Sequence, residues 1–218
     1  MGPLCDPMIQ LSKDNCTNKG STIFLPMPSD EKAKKLNALA NQISKCKNCK
    51  LFEQATQGVP GDGSFDAEIA FVGEAPGFYE DQQGLPFVGR SGKLLDFMLK
   101  QIGYARKDIW IGNIVKHRPP ENRDPSPDEI KACQGYLDKQ LEIISPLLIV
   151  TLGRFSMNHY LPDAKISNDH GVVQKTSKYN IYPVYHPAAG LRNPKMKTAL
   201  IMDFLKIPEV IESIKKAK

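Results

Sequence analysis

The chain reads as an α/β fold: one domain, a central and mainly parallel sheet of four strands, and flanking helices. Three observations carry this. Short runs rich in β-branched and aromatic residues (AEIAFV, DIWIGNIV, LLIVTL and NIYPVY) recur along the sequence. Segments with apolar residues at helical spacing lie between them. Each run also stops at a polar cassette: Gly73-Glu74-Ala75-Pro76-Gly77, Asn113 with His117, Gly153-Arg154, and His186-Pro187-Ala188-Ala189. In an open parallel sheet the carboxyl ends of the strands share one edge, so four such endings converge on one crevice.

The elements follow in order. Residues 1–30 scatter Pro, Ser, Asn and Lys without an apolar period and read as a poorly ordered leader; the domain occupies 31–218. Ser29 caps an expected helix over 31–45, where Ala33, Leu36, Leu39, Ala40 and Ile43 share a face. A strand at 67–72 leads through a long loop to a helix over 91–102, with Leu94, Leu95, Met98 and Ile102 inward and Gly103 stopping it. A second strand spans 109–115. Ser126-Pro127-Asp128-Glu129 then combines an N-cap hydroxyl, a proline at the first helical position and a carboxylate three residues after the cap. Ile130, Cys133, Leu137, Leu141 and Ile144 follow at steps of three and four, and Pro146 ends that helix. Strands at 147–152 and 180–185 come next. A last helix opens at Asn193-Pro194 with Leu200, Ile201, Phe204 and Leu205 inward. Alternating strands and helices of this length imply parallel pairing through right-handed crossovers.

Composition limits the function classes. With 218 residues and 41% hydrophobic content the chain can pack a core without disulfides. It carries 29 basic and 24 acidic residues, a net charge of +5, which suits a polyanionic partner without requiring one. The leader lacks an apolar h-region, and no stretch approaches membrane-spanning length, so an intracellular location in the cytoplasm or nucleoid is expected.

Cys46-Lys47-Asn48-Cys49 stands at the end of a helix, not in the strand-to-helix turn of a thioredoxin-like redox pair, so a metal is the better reading. Cys133 and His117 are candidates to complete four ligands, with Cys5 and Cys16 in the leader. Three thiolates and an imidazole suit a structural zinc or an iron–sulfur cluster, and spacing does not choose between them. Cys133 also lies on an apolar stripe, where a buried small hydrophobe is the plain alternative.

Five motifs in order, G-E-A-P-G-x-x-E-D, G-L-P-F-V-G-R-S-G-K-L-L-D, N-I-V-K-x-R-P-P-x-N-R-x-P, T-L-G-R and Y-H-P-A-A, resemble those of the family 4 uracil-DNA glycosylases. The match runs from about residue 36 to 206. It implies the three-layer αβα fold of that group, uracil-containing DNA, single- or double-stranded, as partner, and a 4Fe-4S cluster held by four cysteines. Cys46, Cys49 and Cys133 match three of those ligands, while His117 stands where the family has cysteine. The uracil-DNA-crosslinking glycosylases are similar at this point, but their K-R-R-I-H insertion has no counterpart in the run from His117 through RPPENRDPSPDE. Turnover is therefore expected instead of covalent trapping. A monomer is expected, with a sliding clamp as a further partner.

The resemblance also assigns residues. It places His186 near uracil O2, Asn113 on the uracil edge, where a fixed amide rejects cytosine, and Phe87 under the base. Gly73, Ala75 and Gly77 bring backbone close to base and sugar. An aspartate occupies the Ala75 position in the best-known uracil glycosylases, which leaves Glu74, Glu80 and Asn122 as candidates to hold the water or stabilise the sugar cation. Arg90, Ser91 and Gly92 form a phosphate site at a helix N-terminus. Leu191, with Arg192 beside it, reads as a wedge in a minor-groove loop over 188–194. The implied reaction is hydrolysis of uracil from DNA by a monofunctional enzyme. Other readings are a uracil-DNA binding or crosslinking protein without turnover, and a non-catalytic metal-containing nucleic-acid module.

Overall fold

The computed structural model describes residues 27–217. In chain order it contains α1 (Ser29–Ser44), β1 (Asp62–Gly63), β2 (Ile69–Gly73), α2 (Phe78–Gln83), α3 (Arg90–Gln101), β3 (Trp110–Asn113) and α4 (Pro127–Ile144). These are followed by β4 (Leu148–Leu152), α5 (Arg154–Tyr160), α6 (Ile166–Asp169), β5 (Gln174–Lys175), β6 (Asn180–Val184), α7 (Pro187–Arg192) and α8 (Pro194–Lys216). The sheet has six strands in the order β1-β3-β2-β4-β6-β5. Its centre, β3-β2-β4-β6, is parallel and corresponds to the four expected strands. The antiparallel edge strands β1 and β5 correct the count. Each is two residues long, too short to show an alternating pattern in sequence.

Alternation along the central strands builds the three layers. Phe71, Val150 and Tyr182 face α3 and α8, where Leu95, Met98, Leu200 and Phe204 meet them; Phe71 and Phe204 stack at 5.6 Å. Ala70, Val72, Ile149 and Ile181 face α1 and α4, against Leu36, Leu39, Leu137 and Leu141. Successive strand side chains point to opposite faces, so both faces must be covered. Across β2 and β3 the register pairs Gly73 with Asn113, which sets the first two cassettes side by side. The chain places β3 on one side of β2 and β4 on the other, so the connection order reverses at β2 and opens a crevice beyond its carboxyl end.

The start of α4 follows its sequence signature. Glu129 N–H donates to Ser126 Oγ at 3.3 Å, and Ser126 N–H donates to Glu129 Oε2 at 2.8 Å. Arg123 adds hydrogen bonds of 2.9 and 2.7 Å to both oxygens of Glu129, and chiefly through them the carboxyl pKa falls to about 2. A depressed carboxyl stabilises the fold above its ordinary range and loses that contribution as pH falls toward 2. Ser126→Ala is expected to cost about 1 kcal/mol in urea unfolding at neutral pH.

Several expectations are corrected. Helix α1 begins at Ser29 itself, with Pro28 in the cap position, and the Ser29 hydroxyl bonds Asp66 at 2.7 Å instead of capping. The leader lies outside the described residues except for 27–30, as do Cys5 and Cys16. Leu205 is 49% exposed, because the buried stripe of α8 runs through Leu200, Phe204, Ile207 and Ile211 and leaves residue 205 about a quarter-turn away. Helices α2, α5, α6 and α7 are too short for periodicity to announce, and α7 replaces most of the expected loop over 188–194. Among the described residues no helix is long and apolar enough to cross a membrane.

Candidate active site

At the carboxyl edge of the parallel strands lies a cavity of about 730 Å³. Its walls are the turn after β2, Asn113 at the end of β3, the loop over 119–124, Gly153-Arg154 after β4, and residues 185–192 after β6. All four sequence cassettes thus contribute to it, although His117 does not reach it.

His186 occupies the cap of α7, with Pro187 at the first helical position. Its Nδ1 accepts the Ala188 N–H at 3.1 Å, so Nδ1 is the unprotonated nitrogen and Nε2 carries the proton of the neutral ring. The ring walls the cavity on one side and packs on protein elsewhere. Burial, reinforced by the Arg192 charge, lowers its pKa to about 4. At neutral pH the site therefore holds a neutral N–H donor.

Asn113 is 1% exposed, and its Oδ1 has no hydrogen-bond partner. A buried amide oxygen without a partner costs free energy unless a ligand N–H fills it, and Asn113 lines the cavity where one could. Phe87 closes the same corner, its ring centroid 5.7 Å from that of His186. Its φ of 53° lies in the left-handed region, unfavourable for a bulky residue. Arg106 holds this strained turn by donating to the carbonyls of Pro86 and Phe87. Gly73 does not line the cavity but lies directly behind it. A Cβ there would collide with Asn113 Oδ1 and stand 2.6 Å from Phe87 Cζ. Gly73→Ala is accordingly expected to cut turnover about 100-fold, since small displacements of positioning groups cost on that order, while the protein remains folded. Steady-state kinetics beside circular dichroism would check this.

The carboxylates separate into different parts. Glu80 Oε1 accepts the Val88 and Gly89 N–H groups, each at 2.9 Å, and so ties down the loop before α3. Glu74 is half-buried in the cavity wall; burial and the Asp124 charge raise its pKa to about 7 against the opposing pull of Arg154. Asp124 and Arg154 pair at 2.6 Å, both well exposed. Asn122 lines the cavity with φ of 54°, and its Oδ1 accepts from Arg118 Nε at 2.8 Å. Ala75 and Gly77 line the cavity as expected. Sequence reasoning missed Asp124 and Arg154 as a pair, and Tyr185 in the wall; the motifs N-R-D-P and T-L-G-R contain the two partners but carry no sign that they meet.

Arg90, Ser91 and Arg192 line the cavity, with Arg90 and Ser91 at the N-terminus of α3. Leu191 is 40% exposed beside it on α7. Gly92 is a correction: it is buried, and a Cβ there would collide with the Phe87 carbonyl, so its part is to let α3 pack under that turn.

The cysteines gather away from the cavity, behind β3. Cys46, Cys49 and Cys133 lie close enough that the first raises the pKa of the other two, after burial, and Cys49 raises that of Cys133. Burial first, then these neighbours, push the Cys133 thiol up to about 11. His117 is buried, which lowers its pKa, and the charge opposing that shift is Asp81. Among the described residues no three His, Cys, Asp or Glu side chains stand where one ion would hold them. Beside Cys133 the fully buried Lys116 ammonium donates to two neutral oxygens, Asn113 O at 2.9 Å and Gln140 Oε1 at 2.8 Å. Burial lowers the Lys116 pKa to about 8, against the opposing charge of Cys133. Three of the four expected ligands, Cys46, Cys49 and Cys133, thus lie near one another, and all three are sulfur donors.

The model of the uracil DNA glycosylase superfamily matches residues 60–206. The type-4 uracil-DNA glycosylase of Sulfurisphaera tokodaii is 46% identical over 187 residues, covering 80% of this chain and 84% of that protein. The type-4 enzyme of Archaeoglobus fulgidus is 44% identical over 184 residues, covering 80% and 92%. That of Thermotoga maritima is 38% identical over 186 residues, covering 84% and 93%. On fold, motif order and matches together, the chain belongs to the uracil DNA glycosylase superfamily, with the type-4 enzymes among its relatives.

Proposed function

We propose that the protein is a monofunctional uracil-DNA glycosylase that hydrolyses the N-glycosidic bond of an extruded deoxyuridine and leaves an abasic site in base excision repair. The observation that carries this is the juxtaposition of a neutral His186 N–H donor with the unpartnered Asn113 oxygen in one cavity. Bond cleavage leaves negative charge on uracil and cationic character on the sugar. His186 Nε2–H donates to O2 as that charge develops, Asn113 Oδ1 accepts the N3–H, and Phe87 packs against the ring. Glu74, as the carboxylate, stabilises the sugar cation or orients the water. Extruding the base costs a few kcal/mol, which stacking and hydrogen bonding in the pocket offset. Among the described residues no lysine lines the cavity, which supports hydrolysis without a Schiff base or strand cleavage.

In this reading Cys46, Cys49, Cys133 and, as fourth ligand, His117 hold a 4Fe-4S cluster, with zinc the alternative. Bound there, the group would serve as a structural brace linking the end of α1 to α4. The Lys116 amine, fully buried and with Cys133 favouring its charged form, supports an anionic group of that kind. Absorbance at about 400 nm in protein purified without oxygen separates the cluster from colourless zinc. The protein acts as a monomer, with a sliding clamp as a further partner.

The test of function is a fluorescent uracil-bearing oligonucleotide. Fragments are expected only after hot alkali. Fragments before alkali would reveal a lyase, a heat-stable shifted band would reveal crosslinking, and an intact strand would overturn the assignment.

A further inference from the structure

Two aromatic rings at the cavity mouth lie outside the buried core. Phe78 and Tyr79 open α2 and line the cavity, yet they are 51% and 57% exposed. Adjacent positions on a helix point about 100° apart, so burying one of the two would be routine; here both stay out. They meet edge to face at 5.4 Å, an arrangement that fixes each ring against the other. Arg118 lies over Phe78 at 5.2 Å, its own orientation set by the bond to Asn122. Tyr79 lies against Gly89, where a Cβ would stand 3.4 Å from its Cδ2, and so borders the N-terminus of α3 with Arg90. Other exposed apolar side chains, such as Phe97, Met202 and Leu205, lie off the cavity.

We infer that Phe78 and Tyr79 offer an exposed aromatic face on which an unpaired nucleotide next to the extruded uridine stacks. The inference rests on the glycosylase reading above. Rings beside cations are the combination that binds single strands without sequence preference, because every base offers a π-face and every linkage a phosphate. In a duplex those faces are already covered by neighbouring base pairs. The rings therefore act on unpaired strands, and their place in the cavity lining sets them beside the reacting base.

The test uses a single-stranded oligonucleotide carrying uracil with 2-aminopurine on one flank or the other. Wild-type protein is expected to quench the 2-aminopurine on at least one flank, and the double variant Phe78→Ala, Tyr79→Ala to lose that quenching. The variant should raise KM on the single strand about tenfold or more, by the usual strength of base–aromatic stacking, and far less on a U:G duplex. Phe78→Tyr with Tyr79→Phe keeps both rings and should restore quenching and KM. All four substitutions are at exposed positions, so folding is not at stake. Quenching and single-strand KM unmoved by the alanines would overturn the platform. The quenching measurement is independent of turnover: wild-type protein that quenches but releases no uracil would sink the catalytic reading and leave the platform standing.

Discussion

Replacing His186 by alanine is expected to slow uracil release about 100- to 1,000-fold, the usual loss when one donor to a developing anion is removed. The loss should fall on kcat, because the hydrogen bond strengthens only as O2 gains charge. Salt-dependent DNA affinity should persist, since it comes from phosphate contacts made elsewhere. The tautomer adds a sharper expectation. With Nδ1 committed to the Ala188 N–H and the pKa near 4, the ring stays neutral from pH 5 to 8. Any pH limb in that range must then belong to another group. Single-turnover excision measured across pH would show the His186→Ala rate lowered by a constant factor, without a change in profile shape.

In the proposed mechanism that other group is Glu74, and its substitution should have the second large effect. Its pKa is raised from 4.5 to about 7, by burial first and by Asp124 second. If the carboxylate is the working form, kcat/KM in wild-type protein rises with pH through about 7 and levels off above. Glu74→Gln should remove the limb and lower the plateau by about 100-fold or more, within the usual range for an acid–base group. Its neighbours predict how the limb moves. Asp124→Asn removes the charge that raises the pKa and should shift the limb to lower pH; Arg154→Ala should shift it higher. Stability carries the opposite sign. A carboxyl whose folded pKa lies above its unfolded value destabilises the fold as pH rises between the two. Glu74→Gln should therefore melt at a higher temperature than wild type at pH 8, and at about the same temperature at pH 4. A pH limb retained by the glutamine variant would take Glu74 out of the mechanism.

The parallel strands were legible because burial on both faces forces near-continuous apolar runs, and the capping box of α4 because its residues satisfy backbone donors at fixed spacing. The edge strands and short helices were not, since two to seven residues are too few to hold a period. The cavity wall was legible as strand endings, because topology sends those to one edge. What it hid was pairing: nothing in the spacing says that Glu80 spends its carboxylate on Val88 and Gly89, or that Asp124 meets Arg154 from thirty residues away. Gly92 was misplaced for a related reason, since a glycine at a helix start serves close packing as readily as phosphate binding. Phe78 and Tyr79 passed unnoticed because exposure is a property of the fold and not of a motif.

The central claim is spatial, and a crystal structure of Glu74→Gln protein with a uracil-bearing single strand tests it most directly. The account predicts uracil inside the cavity, His186 Nε2 within hydrogen-bond distance of O2, Asn113 Oδ1 accepting from N3, and Phe87 against the ring. Uracil left stacked outside the cavity, or bound within it with His186 and Asn113 turned to other partners, would contradict it.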